Sequence, residues 1–232
     1  MKDPYIYKDS DVLINKLGIK DKEKLDEFEN RMSKIAIVRI FKAELEINSS
    51  SNIFDIHKQM FENIYDWAGK PRTINIYKEE PILSGISVEY SDYKFISNEF
   101  RKIDKKYSIK NMKSLNKEDF IHIFVRFIAE IWKVHPFREG NTRTIATFAF
   151  LLLTQNGYKY NAEIIQKNAK FFRNALVMAS LGKYAEYNYL QSILTDAIEG
   201  KTNGSADKYK KIKEYEVDNY NYEYHKIKVD SK

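Results

Sequence analysis

Apolar residues recur at steps of three and four along most of this chain, the period of helices that bury one face. The strongest run is Phe120, Ile121, Phe124, Phe127, Ile128, Ile131 and Trp132, which predicts a helix over 117–134 opened by Asn116. A second run, Ile145 to Leu153, continues to Gly157, a helix stop signal. Nearer the start, Leu25, Phe28, Met32, Ile35, Val38 and Phe41 predict the buried face of a long helix over 21–46, with Asp21 at its cap. Further helices are expected at 53–67, 91–106, 163–180 and 184–198, and a short one at 11–17 between Ser10 and Gly18. Lys105 to Lys113 reads as a basic connector, and His57 as a partly buried packing residue. One stretch breaks the helical period. After Trp67-Ala68-Gly69-Lys70-Pro71-Arg72, the residues Thr73, Ile74, Asn75, Ile76 and Tyr77 alternate with the two-residue period of a strand.

Composition narrows the class without changing this picture. The 232 residues suit one domain, or one domain with an appendage. Only 8 Gly and 4 Pro favour a helix-rich fold with few long loops. The net charge of +6 is spread among 39 basic and 33 acidic residues with no basic block, so nucleic acid is not the expected partner. No run reaches the ~18 apolar residues of a membrane span, and the start lacks a signal-peptide core. With no cysteine, disulfides and thiol chemistry are excluded. A cytoplasmic location is the expectation.

Chemistry gathers at 135–143, His-Pro-Phe-Arg-Glu-Gly-Asn-Thr-Arg, a polar loop between two strongly apolar helices. Gly140 and Asn141 tolerate backbone angles that turn successive N–H groups toward one point. Asn141 or Thr142 could cap the following helix, whose positive end suits an anion. Arg143 offers a charged fork for phosphate oxygens. Glu139 can hold Mg²⁺, which binds through one or two carboxylates together with substrate phosphates. His135, with a reference pKa near ~6.5, can take a proton from a hydroxyl. Phosphate cradle, metal and base together describe phosphoryl or nucleotidyl transfer.

His135, Phe137, Glu139, Gly140, Asn141 and Arg143 resemble the signature of the Fic family, H-x-F-x-[D/E]-G-N-[G/K]-R-x-x-R. The resemblance implies an all-α Fic-fold helical bundle with a small β-hairpin flap, over residues 1–200. It implies a protein adenylyltransferase that moves AMP from ATP, with Mg²⁺, to a Ser, Thr or Tyr hydroxyl of a target protein. In those terms His135 is the base, Glu139 the metal ligand, and Gly140, Asn141, Thr142 and Arg143 the nucleotide site. Two positions depart: Thr142 stands at a Gly or Lys position, and Ala146 replaces the second Arg, which in the family contacts the γ-phosphate. The W-A-G-K-x-R-T-x-N-I stretch also resembles the family, and makes 73–86 the expected flap that docks the target along its main chain.

Thr195, Glu199 and Gly200 match the family's inhibitory motif, [S/T]-x-x-x-E-[G/N], on a C-terminal helix over 184–200. With Ala146 in place of its usual partner, Glu199 is expected to engage Arg143, loop N–H groups or the metal. Removal of AMP is the second activity such a Glu implies. Residues 201–232 read as a polar, mobile tail whose tyrosines (Tyr209, Tyr215, Tyr220, Tyr222, Tyr224) offer hydroxyls for self-modification. Transfer of phosphate or phosphocholine, and a non-catalytic nucleotide-sensing module, are the alternatives. Homo-oligomer formation stays open.

Overall fold

The computed structural model describes residues 3–200 and Tyr209. Among them nine α-helices follow in order: α1 (Lys22–Lys42), α2 (Asn52–Phe61), α3 (Ile96–Lys106), α4 (Ile109–Met112), α5 (Lys117–Val134), α6 (Asn141–Gln155), α7 (Ala162–Lys167), α8 (Ala169–Ala179) and α9 (Asn188–Glu199). The all-α class holds. No described helix is long and apolar enough to cross a membrane.

Two compact units divide the chain. The first comprises residues 1–76, 90–116 and 130–158, with α1 packed on α2 and α2 on α6. Its fully buried aromatics include Phe61, Tyr65, Trp132, Phe137 and Phe148. The second comprises 77–89, 117–129 and the described part of 159–232, with α7 and α8 packed on α9. Helix α5 contributes 117–129 to the second unit and 130–134 to the first.

Helix α1 begins as expected, with the Asp21 carboxylate accepting from the Lys24 N–H at 3.0 Å. Its buried face is not the expected one. Leu25, Glu29, Ser33, Ala36 and Ile40 point inward, whereas Ile35 and Val38 are 46% and 55% exposed. The helix is rolled so that two polar residues enter the core, and their partner lies in the loop described below.

Three other expectations need correction. No helix forms at 11–17, because the buried Asn15 side chain bonds the Leu13 and Ile19 carbonyls and accepts from the Leu17 and Ile19 N–H groups. Side chains that satisfy the local backbone compete with a helical turn. The helix expected over 163–180 is two, α7 and α8, split at Asn168, whose side chain caps the Ile164 carbonyl at 2.8 Å. The connector at 105–113 contains α4, capped by Ser108.

The β-hairpin expected at 73–86 has no paired strands. Exposure does alternate from Ile74 to Lys78, as the two-residue period requires. Pairing then fails because Pro81 opens a 3-10 turn at Pro81–Leu83, and Ser84 and Gly85 carry positive φ (51° and 89°). The Lys78 N–H goes to the Ser87 hydroxyl instead of a ladder carbonyl. Fully buried Glu80, paired with Arg173 at 2.9 Å, holds this segment down.

The interval 201–232 lies outside the described residues apart from Tyr209. That residue is 7% exposed, with its hydroxyl donating to Asp196 and its ring 4.8 Å from Phe171. Burial and the Asp196 carboxylate push its hydroxyl's pKa up. Tyr209 is therefore a packing residue here, not an accessible hydroxyl.

Candidate active site

The loop 135–140 is held from beneath by groups that leave little freedom. Asn141 turns its carboxamide back on Phe137, accepting from its N–H (3.0 Å) and donating to its carbonyl (2.8 Å). Phe137 is fully buried and stacks on His57, ring centroids 3.7 Å apart. His57 accepts from the Gly69 N–H through Nδ1 (2.9 Å), so its Nε2–H donates to the Glu139 carbonyl (3.1 Å). Burial lowers the His57 pKa from 6.5 to about 3, with the Arg143 charge adding to the effect. His57 is thus a neutral strut under the loop. The sequence reading placed it on a packing face and missed this role; its only signal was a His facing the core.

Gly140 takes φ +83°, and a Cβ there would lie 2.6 Å from the Phe61 ring. It, rather than Asn141 or Thr142, is the N-cap of α6, and no side chain caps that end. The Thr142 hydroxyl instead accepts from the Trp132 indole at 3.2 Å. First-turn N–H groups of a helix have no partner within it. The start of α6 therefore offers Asn141, Thr142 and Arg143 amides, with the helix dipole behind them, to an anion.

A cavity of about 500 Å³ opens beside this end, lined among others by Glu29, Arg138, Glu139 and Arg143. One Glu139 carboxylate oxygen accepts from the Gly140 N–H at 2.9 Å. Among the described residues no three acidic or histidine side chains gather as a metal cage. The Glu139 carboxylate on the cavity wall nonetheless fits Mg²⁺, whose remaining ligands are phosphates and water.

Arg143 is already engaged. Its guanidinium forms an ion pair with Glu29, donates to the Ser33 hydroxyl at 3.2 Å and lies over the Phe61 ring at 5.1 Å. Glu29 is 5% exposed and also accepts from the Tyr65 hydroxyl, which burial and that carboxylate keep protonated. These are the polar residues that roll α1 inward. A Glu and a Ser four apart, in line with Leu25, Ala36 and Ile40, were the signal available in the sequence.

His135 opens the loop with φ +50° and 2% exposure. The Tyr90 ring stacks on it at 3.9 Å, Trp132 meets it edge-on at 5.0 Å, and Arg72 Nε donates to its carbonyl at 2.9 Å. His135 does not line the cavity. Of the expected docking residues, Thr73 bonds the Tyr5 hydroxyl through its N–H, Ile74 gives its carbonyl to Arg72, and Asn75 joins Asp92 and Tyr93. Ile76 is half-buried, and Tyr77 is exposed with its hydroxyl on the Gly85 carbonyl. Thr195, Glu199 and Gly200 end α9, where Gly200 is the left-handed C-cap. Glu199 meets Lys117 at 2.9 Å, in place of the expected Arg143.

Comparisons with known proteins bear on this geometry. The protein adenylyltransferase VbhT of Bartonella schoenbuchensis is 30% identical over 199 residues, 83% of this chain and 38% of that protein. The chain thus spans well under half of that relative's length. The probable protein adenylyltransferase y4lH of Sinorhizobium fredii is 29% identical over 80% of this chain and 92% of its own. The N-terminal Fic domain of a Bep effector of Bartonella quintana, solved with bound ADP, shares the fold. It has a TM-score of 0.70 and 24% identity, over 83% of this chain and 93% of that one. The sequence model of the Fic/DOC family matches residues 47–153, which include the whole loop, all of α5, and α6 up to Leu153. Residues 47–153 of this chain are thus a Fic/DOC domain.

Proposed function

We propose that this chain is a protein adenylyltransferase, transferring AMP from ATP to a Ser, Thr or Tyr hydroxyl of a protein. The observation that carries the reading is the start of α6. An uncapped helix end follows a left-handed glycine, beside a cavity whose wall bears Glu139 and Arg143, and His135 heads the same loop. The relatives named adenylyltransferases, and the ADP bound by the Bartonella quintana domain, support a nucleotide as the co-substrate.

His135 takes the proton from the target hydroxyl, whose oxygen bonds to the α-phosphorus. The bond from that phosphorus to the bridging oxygen breaks, and pyrophosphate leaves with the electron pair. The amides of Asn141, Thr142 and Arg143 hold phosphate oxygens, and the Arg143 guanidinium offsets charge on the leaving group. Glu139 would hold Mg²⁺, which would supply charge neutralisation to the phosphates. The Asn141 side chain acts on the loop, not on the nucleotide. Thr73 to Tyr77 dock the target's main chain. The described arrangement is the resting one: Tyr90 covers the base, and Glu29 holds the arginine needed for phosphate. The inhibitory role expected of Thr195, Glu199 and Gly200 has less support, because Glu29, not Glu199, sits on Arg143.

The test is incubation with α-labelled ATP, Mg²⁺ and cell extract, following label on protein. His135→Ala should lower transfer by ~10²–10⁴ while ATP binding persists. Equal labelling by the two chains would remove His135 from the reaction. Label passing from γ-labelled ATP instead would make this a phosphotransferase.

A further inference from the structure

Arg72 is 2% exposed, a cation almost wholly removed from water. Such burial is costly unless every donor is met. Here the partners are not a carboxylate but main-chain carbonyls. Nε donates to His135 (2.9 Å), Nη1 to Ile74 (2.7 Å), and Nη2 to Ser91 and, more weakly, to Val134 (3.5 Å). Nη1 also reaches the Asn75 side-chain oxygen at 3.3 Å, and the Arg72 N–H donates to the Pro136 carbonyl at 2.7 Å. Burial lowers the Arg72 pKa, with Asp92 opposing. The group nevertheless stays charged, since guanidinium keeps its proton in proteins.

What these carbonyls belong to gives the arrangement a purpose. Val134, His135 and Pro136 are the three consecutive residues where α5 ends and the loop begins. His135 there holds φ +50°, which a non-glycine residue keeps only when its surroundings enforce it. Ser91 directly follows Tyr90, whose ring lies on the imidazole. Ile74 and Asn75 belong to the segment we assign to target docking. A single planar fork therefore ties the base's backbone, the ring stacked on the base and the start of the docking segment. A lysine, with one point charge, has no geometry for this.

We propose that Arg72 is a positioning residue for the transfer, fixing the His135 imidazole relative to the strand-like segment that presents the target hydroxyl. The inference rests on the adenylyltransferase reading above. Arg72 touches no nucleotide in this account; it acts through His135.

The test is a double-mutant cycle in the α-label assay, on the full chain. It is run in wild-type and Glu29→Gln backgrounds, so that a held Arg143 does not mask transfer. Arg72→Gln should lower kcat about 10²-fold, the scale for small misplacement of a catalytic group, with KM for ATP within about twofold. Added to His135→Ala, the same change should cost nothing further, because residues that act as one unit are not additive. Arg72→Lys, which keeps the charge, should show the same pattern, and serves if the Gln variant does not fold. An unchanged kcat in both Arg72 variants overturns the inference. So does an equal loss in the presence and absence of His135, which would make Arg72 a general stabiliser. If no α-label reaches protein from the wild-type chain or its Glu29→Gln variant, the adenylyltransferase reading itself fails, and that result is separable from the Arg72 outcomes. Equal labelling by wild-type and His135→Ala chains removes His135 from the reaction and overturns the Arg72 inference with it.

Discussion

Two places in the molecule put a glutamate immediately before a left-handed glycine, and they have opposite characters. At Glu139-Gly140, the glycine's missing Cβ is filled space, 2.6 Å from Phe61, and the nearby ion pair is Arg143 with the buried Glu29. At Glu199-Gly200, a Cβ would meet nothing within 4 Å, and Glu199 pairs with a Lys117 side chain that is 48% exposed. The first is a built site in which each group constrains the next. The second is a helix end. The motif at Thr195–Gly200 resembles a regulatory device, yet the carboxylate that holds the phosphate arginine comes from α1.

Exchanging the glycines gives the largest predicted contrast. Gly140→Ala should destabilise the chain by about 2–5 kcal/mol, combining the left-handed penalty with overpacking against an aromatic ring. Gly200→Ala should cost about 1–2 kcal/mol, the backbone term alone. Urea unfolding of both variants measures the gap. Equal losses would mean that the loop glycine is not confined as the geometry requires.

The ion pairs come next. Glu29→Gln leaves an acceptor for Tyr65 but removes the negative charge that faces Arg143, and should lower stability by about 1–3 kcal/mol. Releasing the arginine should at the same time tighten ATP binding by about 5–150-fold, the range of ordinary coupling energies of 1–3 kcal/mol. Calorimetry reads both sides of that trade. A variant that binds ATP more weakly would show that Glu29 orients Arg143 for phosphate instead of withholding it.

The sequence exposed one of these regions far better than the other's partner. Helix α5 and the loop residues were legible because each is local. The apolar period of Phe120 to Trp132 marks the helix, and six spaced residues from His135 to Arg143 mark the chemistry. Glu29, Ser33, Arg72 and Tyr90 were not legible, because Glu29 and Ser33 meet Arg143 114 and 110 residues on, Tyr90 meets His135 far along the chain, and Arg72 reaches mostly backbone. On α1 the apolar residues Ile35 and Val38 even pointed to the wrong face. Two polar side chains reaching Arg143 outweighed them, as tertiary contacts can outweigh hydrophobic period at functional sites. The flap failed for a third reason: Pro81 and the buried Glu80–Arg173 pair act on pairing, which alternation alone does not report.

His57 sharpens the contrast through pH. Its folded pKa of about 3 lies below the usual 6.5, so between those values the unfolded chain holds the extra proton. Its contribution is therefore full above about pH 6.5 and declines as pH falls toward 3, by about 1.4 kcal/mol per pH unit. Between pH 7 and pH 5 the loss should be about 2 kcal/mol in urea unfolding. The imidazole resonances of His57 should stay in the neutral form across that interval. If they titrate near 6.5, the strut beneath the loop is not dry, and the loop is looser than its hydrogen bonds imply.

The smallest predicted effect decides most about regulation. Glu199 and Lys117 are both solvent-accessible, and exposed pairs of this kind contribute ~0–1 kcal/mol. Glu199→Gln and Lys117→Ala should each leave urea unfolding within about 1 kcal/mol of wild type. ATP affinity should be unchanged in both, since the carboxylate paired with Arg143 is Glu29. The informative measurement is the same calorimetric titration used for Glu29→Gln, carried out side by side. Tightening by Glu29→Gln alone places the brake on α1, where a buried carboxylate competes with phosphate for one guanidinium. Tightening by Glu199→Gln to the same degree would return the brake to α9, and would require Glu199 to leave Lys117 for the nucleotide site in solution. The ion-pair partners distinguish these outcomes before any activity is measured, because a carboxylate can block a phosphate only where a phosphate's own partner holds it.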